Sequence, residues 1–340
     1  MAQGLNALTA EQVDFFMENG YVVIKQAFTR EQAADFTSEM WVRLGLDPDD
    51  KSTWTQERIH MPVTKRVRVS EFAPKAWAAI TELCGGEDRV NVEASTWGDS
   101  FIVNLGTPAL EGTPPRQALE LDNWHVDGDF FVHFLDSPEQ ALLVIPLFSD
   151  IAPGGGATFI APDGIDMIAR YLADHPEGVI PEDRTFRPAH LPGPWEQWKD
   201  HPGFWSHLAE VRRCTQFVEL TGETGDVVLM HPLMMHSASK NVLRVPRVIT
   251  NPPVSVREPF NFARADPSEY SLVERKTLKA LGVDRLDFKP TTERREIVPK
   301  RVLIQRAMLE AEKKRLEEMK SKTQSAQASP ALSPVPVAVA

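Results

Sequence analysis

The chain has 340 residues, with 37 Lys and Arg against 48 Asp and Glu, so its formal net charge is −11. Apolar residues make up 42% and charged residues 25% of it, a composition typical of soluble globular proteins with one large core or two modest ones. The acidic balance argues against nucleic acid or an anionic membrane surface as the main partner, and no apolar run approaches the ~20 residues of a transmembrane helix.

Cysteine usage and the start of the chain both bear on the cellular compartment. The first eight residues lack the charged and apolar regions of a secretory signal. The two cysteines, Cys84 and Cys214, are too few for a disulfide framework. We therefore expect a cytoplasmic protein in a reducing environment.

Helical patterns dominate the first 86 residues. Thr9 opens a capping-box helix that stops at Gly20, and the β-branched run Tyr21–Ile24 predicts a short strand. A second capping box at Thr29 predicts one helix through Leu44. A further short helix is expected after Pro74, ending at residues 85–86.

From about residue 88 the pattern changes to short strands separated by Gly- and Pro-rich turns. This pattern predicts antiparallel sheets packed as a sandwich or jelly roll rather than βαβ units. One helix is expected over 163–174, and residues 175–206 are predicted to form a long irregular loop of the kind often used as a lid. The predicted strands are Arg89–Ala94, Ser100–Leu105, Trp124–Leu135, Ala141–Phe148, Ala157–Ile160, Thr215–Leu220, Val227–Met230 and Val245–Thr250.

The end of the chain returns to helical patterns. Helices are predicted over Pro267–Leu281 and, highly charged, over Lys300–Lys322. The low-complexity residues 323–340 are predicted to be a disordered tail. We expect one domain over 1–299, with a helical part (1–86), a jelly-roll core (87–256) and a helical extension (257–299).

The segment Trp124-His125-Val126-Asp127 holds the first candidate site residues. Side chains two apart on a strand face the same way, so His125 and Asp127 would converge. A histidine and a carboxylate placed so are two of the three ligands of the 2-His-1-carboxylate triad of non-haem iron(II) oxygenases. The triplet alone is weak, because it also arises by chance.

A second segment a hundred residues later adds the third candidate ligand. His231-Pro232-Leu233-Met234-Met235-His236 follows the predicted strand 227–230, and Arg247 lies eleven residues beyond His236. The two histidines are five apart and would face opposite ways on an unbroken strand. The competing pairing is His231 with Arg244, thirteen residues on.

With these motifs the sequence resembles the phytanoyl-CoA hydroxylase (PhyH-like) family of iron(II)- and 2-oxoglutarate-dependent dioxygenases. The resemblance runs over roughly residues 8–255 and includes the turn Gly154–Gly156. It implies a double-stranded β-helix core with flanking N- and C-terminal helices, an Fe(2+) cofactor, and 2-oxoglutarate and O2 as cosubstrates. It also implies that His125, Asp127 and His236 are the catalytic metal ligands and that Arg247 binds the distal carboxylate of 2-oxoglutarate.

Three more residues are candidates for contacts to 2-oxoglutarate. Asn104 is a polar residue in an apolar strand, at a place resembling one that some relatives use, although a sheet-edge Asn fits equally well. Thr158 could face the same cavity from the strand after the triple glycine. The family often has Ser two residues after its second histidine; this chain has Ala238 there, and Ser239 could replace the contact.

The function expected from this resemblance is oxidation, foremost hydroxylation, of a small and largely apolar metabolite, with release of succinate and CO2. The carboxylate of Asp127 favours hydroxylation over halogenation, since related halogenases lack it. Two rivals stay open: a zinc hydrolase or isomerase on the same ligands, and a non-catalytic binding protein. The charged helix over 300–322 could serve a homodimer.

Overall fold

A computed structural model describes residues 7–327, with side chains to residue 321. Its core is built from antiparallel sheets, and helices lie outside them. The helices are α1 (Ala10–Asn19), α2 (Arg30–Thr37), α3 (Met40–Leu44), α4 (Val69–Phe72), α5 (Pro74–Cys84), α6 (Gly164–Ala173), α7 (His207–Glu210), α8 (Leu272–Leu281) and α9 (Lys300–Gln327).

Fifteen short strands occur within residues 7–327. They are β1 (Tyr21–Ile24), β2 (Arg58–His60), β3 (Arg66–Arg68), β4 (Thr96–Gly98), β5 (Ile102–Asn104), β6 (Leu142–Pro146), β7 (Thr158–Ala161), β8 (Val179–Glu182), β9 (Thr185–Pro188), β10 (Trp205–Ser206), β11 (Val218–Leu220), β12 (Val227–Met230), β13 (Met235–Ala238), β14 (Arg247–Ile249) and β15 (Pro253–Val254).

Three of the sheets surround the interior. One has the strand order β1-β12-β6-β15, the second β11-β7-β13 and the third β14-β5-β2. An antiparallel bridge between Leu147 and Ile249 connects the end of β6 to β14. Helices α1, α5 and α6 pack around α8, and α1 and α5 also contact the edge strand β1. No helix in the described part of the chain is long and apolar enough to cross a membrane.

Local sequence signals placed most elements correctly. Both capping boxes are formed, at Thr9 and Thr29, and the predicted helix 163–174 is α6. The second predicted helix divides in two, however. The hydroxyls of Thr37 and Ser38 bond to the carbonyls of Ala33 and Asp35, which competes with the helical hydrogen bonds and ends α2.

Two predicted strands are wrong. Residues 92–94 form a single 3₁₀ turn instead of a strand, closed by the Ala94 N–H on the Asn91 carbonyl at 3.1 Å. The segment 124–135 makes only isolated bridges. It turns at Gly128, where φ is +111° and an added Cβ would lie 2.6 Å from the His133 ring. That turn requires a glycine and interrupts the strand.

The region predicted as an irregular loop contains a hairpin. Strands β8 and β9 pair through the two-residue turn Asp183-Arg184, where φ is +47° and +64°. Such a turn matches the twist of the strands but usually carries Asn-Gly or Asp-Gly, so Asp183-Arg184 is not a typical sequence for a hairpin turn.

The C-terminal elements differ from the prediction at their ends. A 3₁₀ turn over Pro267–Glu269 precedes α8, which begins only after a capping box at Ser271. Helix α9 continues past Lys322 to Gln327, so the first residues of the predicted tail are helical. The rest of that tail (328–340) and residues 1–6 lie outside the described residues.

Candidate active site

The two candidate histidines on distant segments are neighbours in a β-bridge. The His125 N–H donates to the His236 carbonyl at 3.0 Å, and the His236 N–H donates to the His125 carbonyl at 2.9 Å. His236 lies on β13, which pairs with β7, so the bridge joins the segment around 125 to this sheet. Directly opposed residues project to the same face, and the two ring centroids are 4.3 Å apart.

Backbone carbonyls orient both rings in the same way. Nδ1 of His125 lies 2.6 Å from the Asn123 carbonyl oxygen, and Nδ1 of His236 lies 3.1 Å from that of Met234. A carbonyl only accepts, so each Nδ1 carries a hydrogen, and each Nε2 is the ring nitrogen that faces Asp127. A metal ion would bind each ring at Nε2, in place of the hydrogen that Nε2 shares with Asp127.

Asp127 completes a compact group. Its Oδ1 lies 3.3 Å from Nε2 of His125 and 3.6 Å from Nε2 of His236, and its Oδ2 accepts from Nδ2 of Asn251 at 3.2 Å. One ligand atom from each of the three residues lies within 4.8 Å of the other two. Burial alone would raise the pKa of Asp127, but the facing His236 and hydrogen bonds from both rings hold that pKa well below its usual range.

His231 lies elsewhere, in the packing between β12 and α8. Its Nε2 is 2.9 Å from the Thr277 hydroxyl, and its Nδ1 accepts from the Leu233 N–H at 3.2 Å. Burial, with Lys276 nearby, lowers the pKa of this ring to about 3. The structure thus groups His236, rather than His231, with His125 and Asp127.

Arg247 lies in the same cavity as the three residues. This cavity has a volume of about 310 Å³. The Arg247 side chain is almost fully buried; its Nε donates to the Gly156 carbonyl at 2.8 Å and its Nη1 to the Ile102 carbonyl at 3.4 Å. No carboxylate of the described residues lies within ion-pair distance of it. Burial, together with the charge of Arg58, lowers its pKa to about 9.

Arg244, the competing candidate, is occupied at another place. Its Nη1 pairs with Glu111 at 3.3 Å, its Nη2 donates to the Lys51 carbonyl, and its guanidinium lies over the Trp54 ring. It does not line the cavity of His125 and Asp127. Its contacts are those of a structural residue.

Of the three further cofactor candidates, only Thr158 lines the cavity. Asn104 is buried, but its amide donates to the Ser239 carbonyl at 3.1 Å and accepts from the Gly106 N–H at 3.2 Å. Ser239 is also buried and lies outside the cavity wall. Neither Asn104 nor Ser239 is part of the cavity wall, and the Asn104 side chain holds the backbone around Ser239, so their contacts to 2-oxoglutarate stay predictions.

The triple-glycine turn has a role that the sequence did not reveal. At Gly156 φ is +79°, and an added Cβ would lie 2.5 Å from Nδ2 of Asn104. Glycine is needed there because the backbone passes this close to a buried side chain. The approach places the Gly156 carbonyl against Nε of Arg247.

Several residues at the site gave no sequence signal. Asn251 bonds to Asp127 from the segment after β14, and Arg58 lines the cavity from β2, far earlier in the chain. The hairpin tip contributes Asp183 and Arg184 to the cavity wall, and Nε of Arg184 donates to Oδ1 of Asn123 at 3.2 Å. None of these four residues belongs to a sequence motif. They come together at the site only through tertiary packing.

A second, larger cavity of about 570 Å³ adjoins the first and shares His125, Asp127 and Asp129 with it. Its wall includes Arg301 and Gln305 of α9. Arg301 bonds to both carboxylate oxygens of Asp129 at 2.7 Å. The C-terminal helix therefore closes one side of the space next to Asp127.

The arrangement of these residues agrees with the protein family whose model the sequence matches. The family described as Phytanoyl-CoA dioxygenase (PhyH) matches residues 16–248, which is more than half of the chain. The chain belongs to this family and is a non-haem iron(II)- and 2-oxoglutarate-dependent dioxygenase. Fe(2+) is the cofactor of this enzyme class, and 2-oxoglutarate and O2 are its cosubstrates. Membership decides against the zinc hydrolase and the non-catalytic protein.

Several solved structures are similar to this chain. HygX from Streptomyces hygroscopicus, with nickel, 2-oxoglutarate and hygromycin B bound, is 14% identical over 76% of this chain and 90% of its own, with a TM-score of 0.40. The carbocyclase SnoK from nogalamycin biosynthesis is 16% identical over 74% and 86%, with a TM-score of 0.37. Apo EctD from S. alaskensis is 15% identical over 75% and 79%, also at 0.37. No curated protein sequence matches the chain.

Proposed function

We propose that the enzyme hydroxylates a small organic molecule, with iron(II) held by His125, Asp127 and His236 and with the distal carboxylate of 2-oxoglutarate bound by Arg247. One observation carries this proposal. A cluster of two imidazoles and a carboxylate shares a cavity with a buried guanidinium that has no acidic partner among the described side chains. A buried cation of this kind is costly unless a ligand supplies the opposite charge.

The three donors fit iron(II). Two imidazole nitrogens and one carboxylate oxygen are the set that non-haem iron(II) oxygenases use, and they leave coordination positions open. Bound iron(II) with 2-oxoglutarate supplies the activation of O2, and the oxo acid leaves as succinate and CO2. The protein's part is orientation: backbone carbonyls hold the Nδ1 hydrogens of both histidines, and Asn251 holds the Asp127 carboxylate.

The fold around these donors supports a double-stranded β-helix. Sheets β1-β12-β6-β15 and β11-β7-β13 are both antiparallel, and both contribute residues to the cavity wall, among them Leu143, Met230 and Thr158. Two packed sheets of short antiparallel strands are the architecture of a jelly roll. In this interpretation, residues 1–299 form one catalytic domain and α9 is an addition to it.

The cavity walls bear on the substrate. Apolar side chains of β6, β12 and β14 line much of the cavity that holds Arg247, including Val144, Ile145 and Ile249. Pockets of this kind suit a small, largely apolar molecule. The second, larger cavity is more polar, with His60, Arg66 and Gln305 in its wall. A substrate with an apolar body and a polar end would fill the two adjoining cavities. Asp127 occupies the ligand place that a halogenase leaves to halide, which favours hydroxylation.

The proposal is tested by following 2-oxoglutarate. Purified protein with iron(II) and ascorbate is expected to release succinate from 2-oxoglutarate slowly, and faster with the right member of a metabolite panel. Product masses raised by one oxygen atom identify hydroxylation. Absence of succinate under all conditions, or oxidation that proceeds without 2-oxoglutarate, would refute the assignment.

A further inference from the structure

Besides Arg247, the wall of the cavity includes Arg58, which the family motifs do not contain. Arg58 on β2 is paired in register with Asn104 on β5, and Asn104 is paired with Arg247 on β14. The three residues thus form one row across the sheet. Residues directly opposed in antiparallel strands project to the same face, and two strand spacings separate the outer members by roughly 9–10 Å. Long arginine side chains can reach a common ligand over that distance.

Neither Arg58 nor Arg247 has an acidic partner among the described residues. There the side chain of Arg58 makes no hydrogen bond or ion pair, and that of Arg247 bonds only to two backbone carbonyls. The acidic side chains of the same cavity are otherwise engaged. They are Asp127 in the histidine cluster, Asp129 with Arg301 at 2.7 Å, Glu182 with Arg187 at 3.8 Å and Asp183 with Arg184 at 3.8 Å.

The two guanidiniums repel each other in the absence of an anion. The charge of Arg58 is one cause of the lowered pKa of Arg247, second to burial. Asn104 between them is neutral, and its amide is committed to Ser239 and Gly106. The row therefore has two positive charges, and no acidic side chain of the described residues pairs with either of them.

Arg247 is also only partly available to a ligand. A guanidinium has five N–H donors, and two of those of Arg247 already point at Gly156 and Ile102. The guanidinium donors of Arg58 bond to none of the described residues. A carboxylate beside Arg247 would find further charge and further donors on Arg58.

We propose that Arg58 is a second binding residue for the distal carboxylate of 2-oxoglutarate, acting together with Arg247; this rests on the function proposed above. The oxo acid then neutralises a pair of like charges that the free protein leaves unbalanced. The carboxylate that both arginines bind is the one at the end of 2-oxoglutarate remote from the metal ligands.

The test is direct titration of the full-length protein loaded with manganese(II), in place of iron to prevent turnover. Calorimetry gives the Kd for 2-oxoglutarate in wild type, Arg58→Gln, Arg58→Lys, Arg247→Lys and Arg68→Gln. Arg68→Gln is the matched control, since Arg68 is an exposed arginine on the next strand with its own partner, Glu93. We expect about tenfold weaker binding for Arg58→Gln, a smaller loss for Arg58→Lys, and no more than about a twofold change for Arg68→Gln.

Two further measurements separate the role of Arg58 from a general effect. Pyruvate has the oxo acid but no distal carboxylate, so Arg58→Gln should leave its Kd unchanged. Without ligand, Arg58→Gln should melt at or above the wild-type temperature, because repulsion is relieved, while 2-oxoglutarate should raise its Tm less than it raises that of wild type.

The failures are distinguishable. If Arg247→Lys weakens 2-oxoglutarate binding but Arg58→Gln does not, the role of Arg58 is refuted and the proposed function stands. Equal losses for pyruvate and 2-oxoglutarate, or a lower Tm of ligand-free Arg58→Gln, likewise refute it. A wild-type protein that does not bind 2-oxoglutarate refutes the proposed function itself.

Discussion

His125 and His236 exchange two backbone hydrogen bonds, at 3.0 and 2.9 Å, across 111 residues of chain. This bridge places both rings on one face and leaves each Nδ1 against a carbonyl two residues earlier. The geometry of the candidate metal site is therefore set by main-chain pairing as well as by side-chain packing. Asp127, two residues beyond the bridge, lies within 3.6 Å of both rings.

The first prediction concerns the metal ligands. His125→Ala, Asp127→Ala and His236→Ala should each lose iron, because each removes one of three protein donors. His231→Gln is the control, since its amide nitrogen can replace Nε2 against Thr277 and the site is remote from the cluster. Iron content per chain after anaerobic loading and desalting measures the effect. Full iron content in His236→Ala, with loss in His231→Gln, would contradict the assignment.

The second prediction compares two arginines three positions apart. Arg247→Lys keeps the charge but loses the planar fork, so the KM for 2-oxoglutarate should rise by roughly tenfold or more. Arg244→Lys should leave that KM within about twofold, because Arg244 is engaged with Glu111 and Lys51 away from the cavity. Succinate release at varied 2-oxoglutarate gives both constants. The opposite pattern would transfer the role to Arg244.

The third prediction concerns acid stability. Burial and Lys276 lower the pKa of His231 from 6.5 to about 3. Above pH 6.5 neither state binds the proton; between pH 6.5 and 3 the unfolded chain binds it and the native chain does not. The free energy of unfolding should therefore fall as the pH is lowered through this window, by about 1.4 kcal/mol per pH unit from this ring. Urea unfolding at pH 7.5, 6.5 and 5.5 should show a flatter profile for His231→Gln. An unchanged slope in the variant would argue against the buried neutral ring.

The fourth prediction concerns how α9 is attached. Arg43 is buried and pairs with Asp99 at 2.8 Å and with Glu312 of α9 at 2.6 Å. Glu312→Gln removes one charge from a buried group and should lower the free energy of unfolding by about 3–5 kcal/mol or release the helix. The neighbouring Lys313→Gln breaks only an exposed pair with Glu310 and should cost less than about 1 kcal/mol.

Denaturant unfolding and protease cleavage after residue 299 report on this attachment. Faster cleavage in Glu312→Gln than in Lys313→Gln is expected, because a detached helix exposes its backbone to protease. Equal cleavage and equal stability in the two variants would show that the buried charges do not hold the helix.

Local rules were enough for elements whose determinants lie within a few residues. Both capping boxes and the run Tyr21–Ile24 were readable because a cap bonds within three residues and a strand alternates every two. The His125–Asp127 spacing was readable for the same reason. The family motif then supplied His236 and Arg247, whose distance from His125 no local rule spans.

The sequence by itself thus determined the elements that local signals mark and the residue kinds that its motifs contain. Which buried polar residues meet was decided by tertiary structure alone. Asn104 and Thr158 are both polar residues in apolar strands, yet Thr158 faces the cavity while the Asn104 amide bonds to the backbone at Ser239 and Gly106. The hydrophobic periodicity of a strand indicates that a side chain is buried, but the residues that this side chain contacts depend on strand register. Register across β14-β5-β2 also places Arg58 in one row with Arg247, on the two sides of Asn104, because hydrogen-bonded strands far apart in sequence set that row.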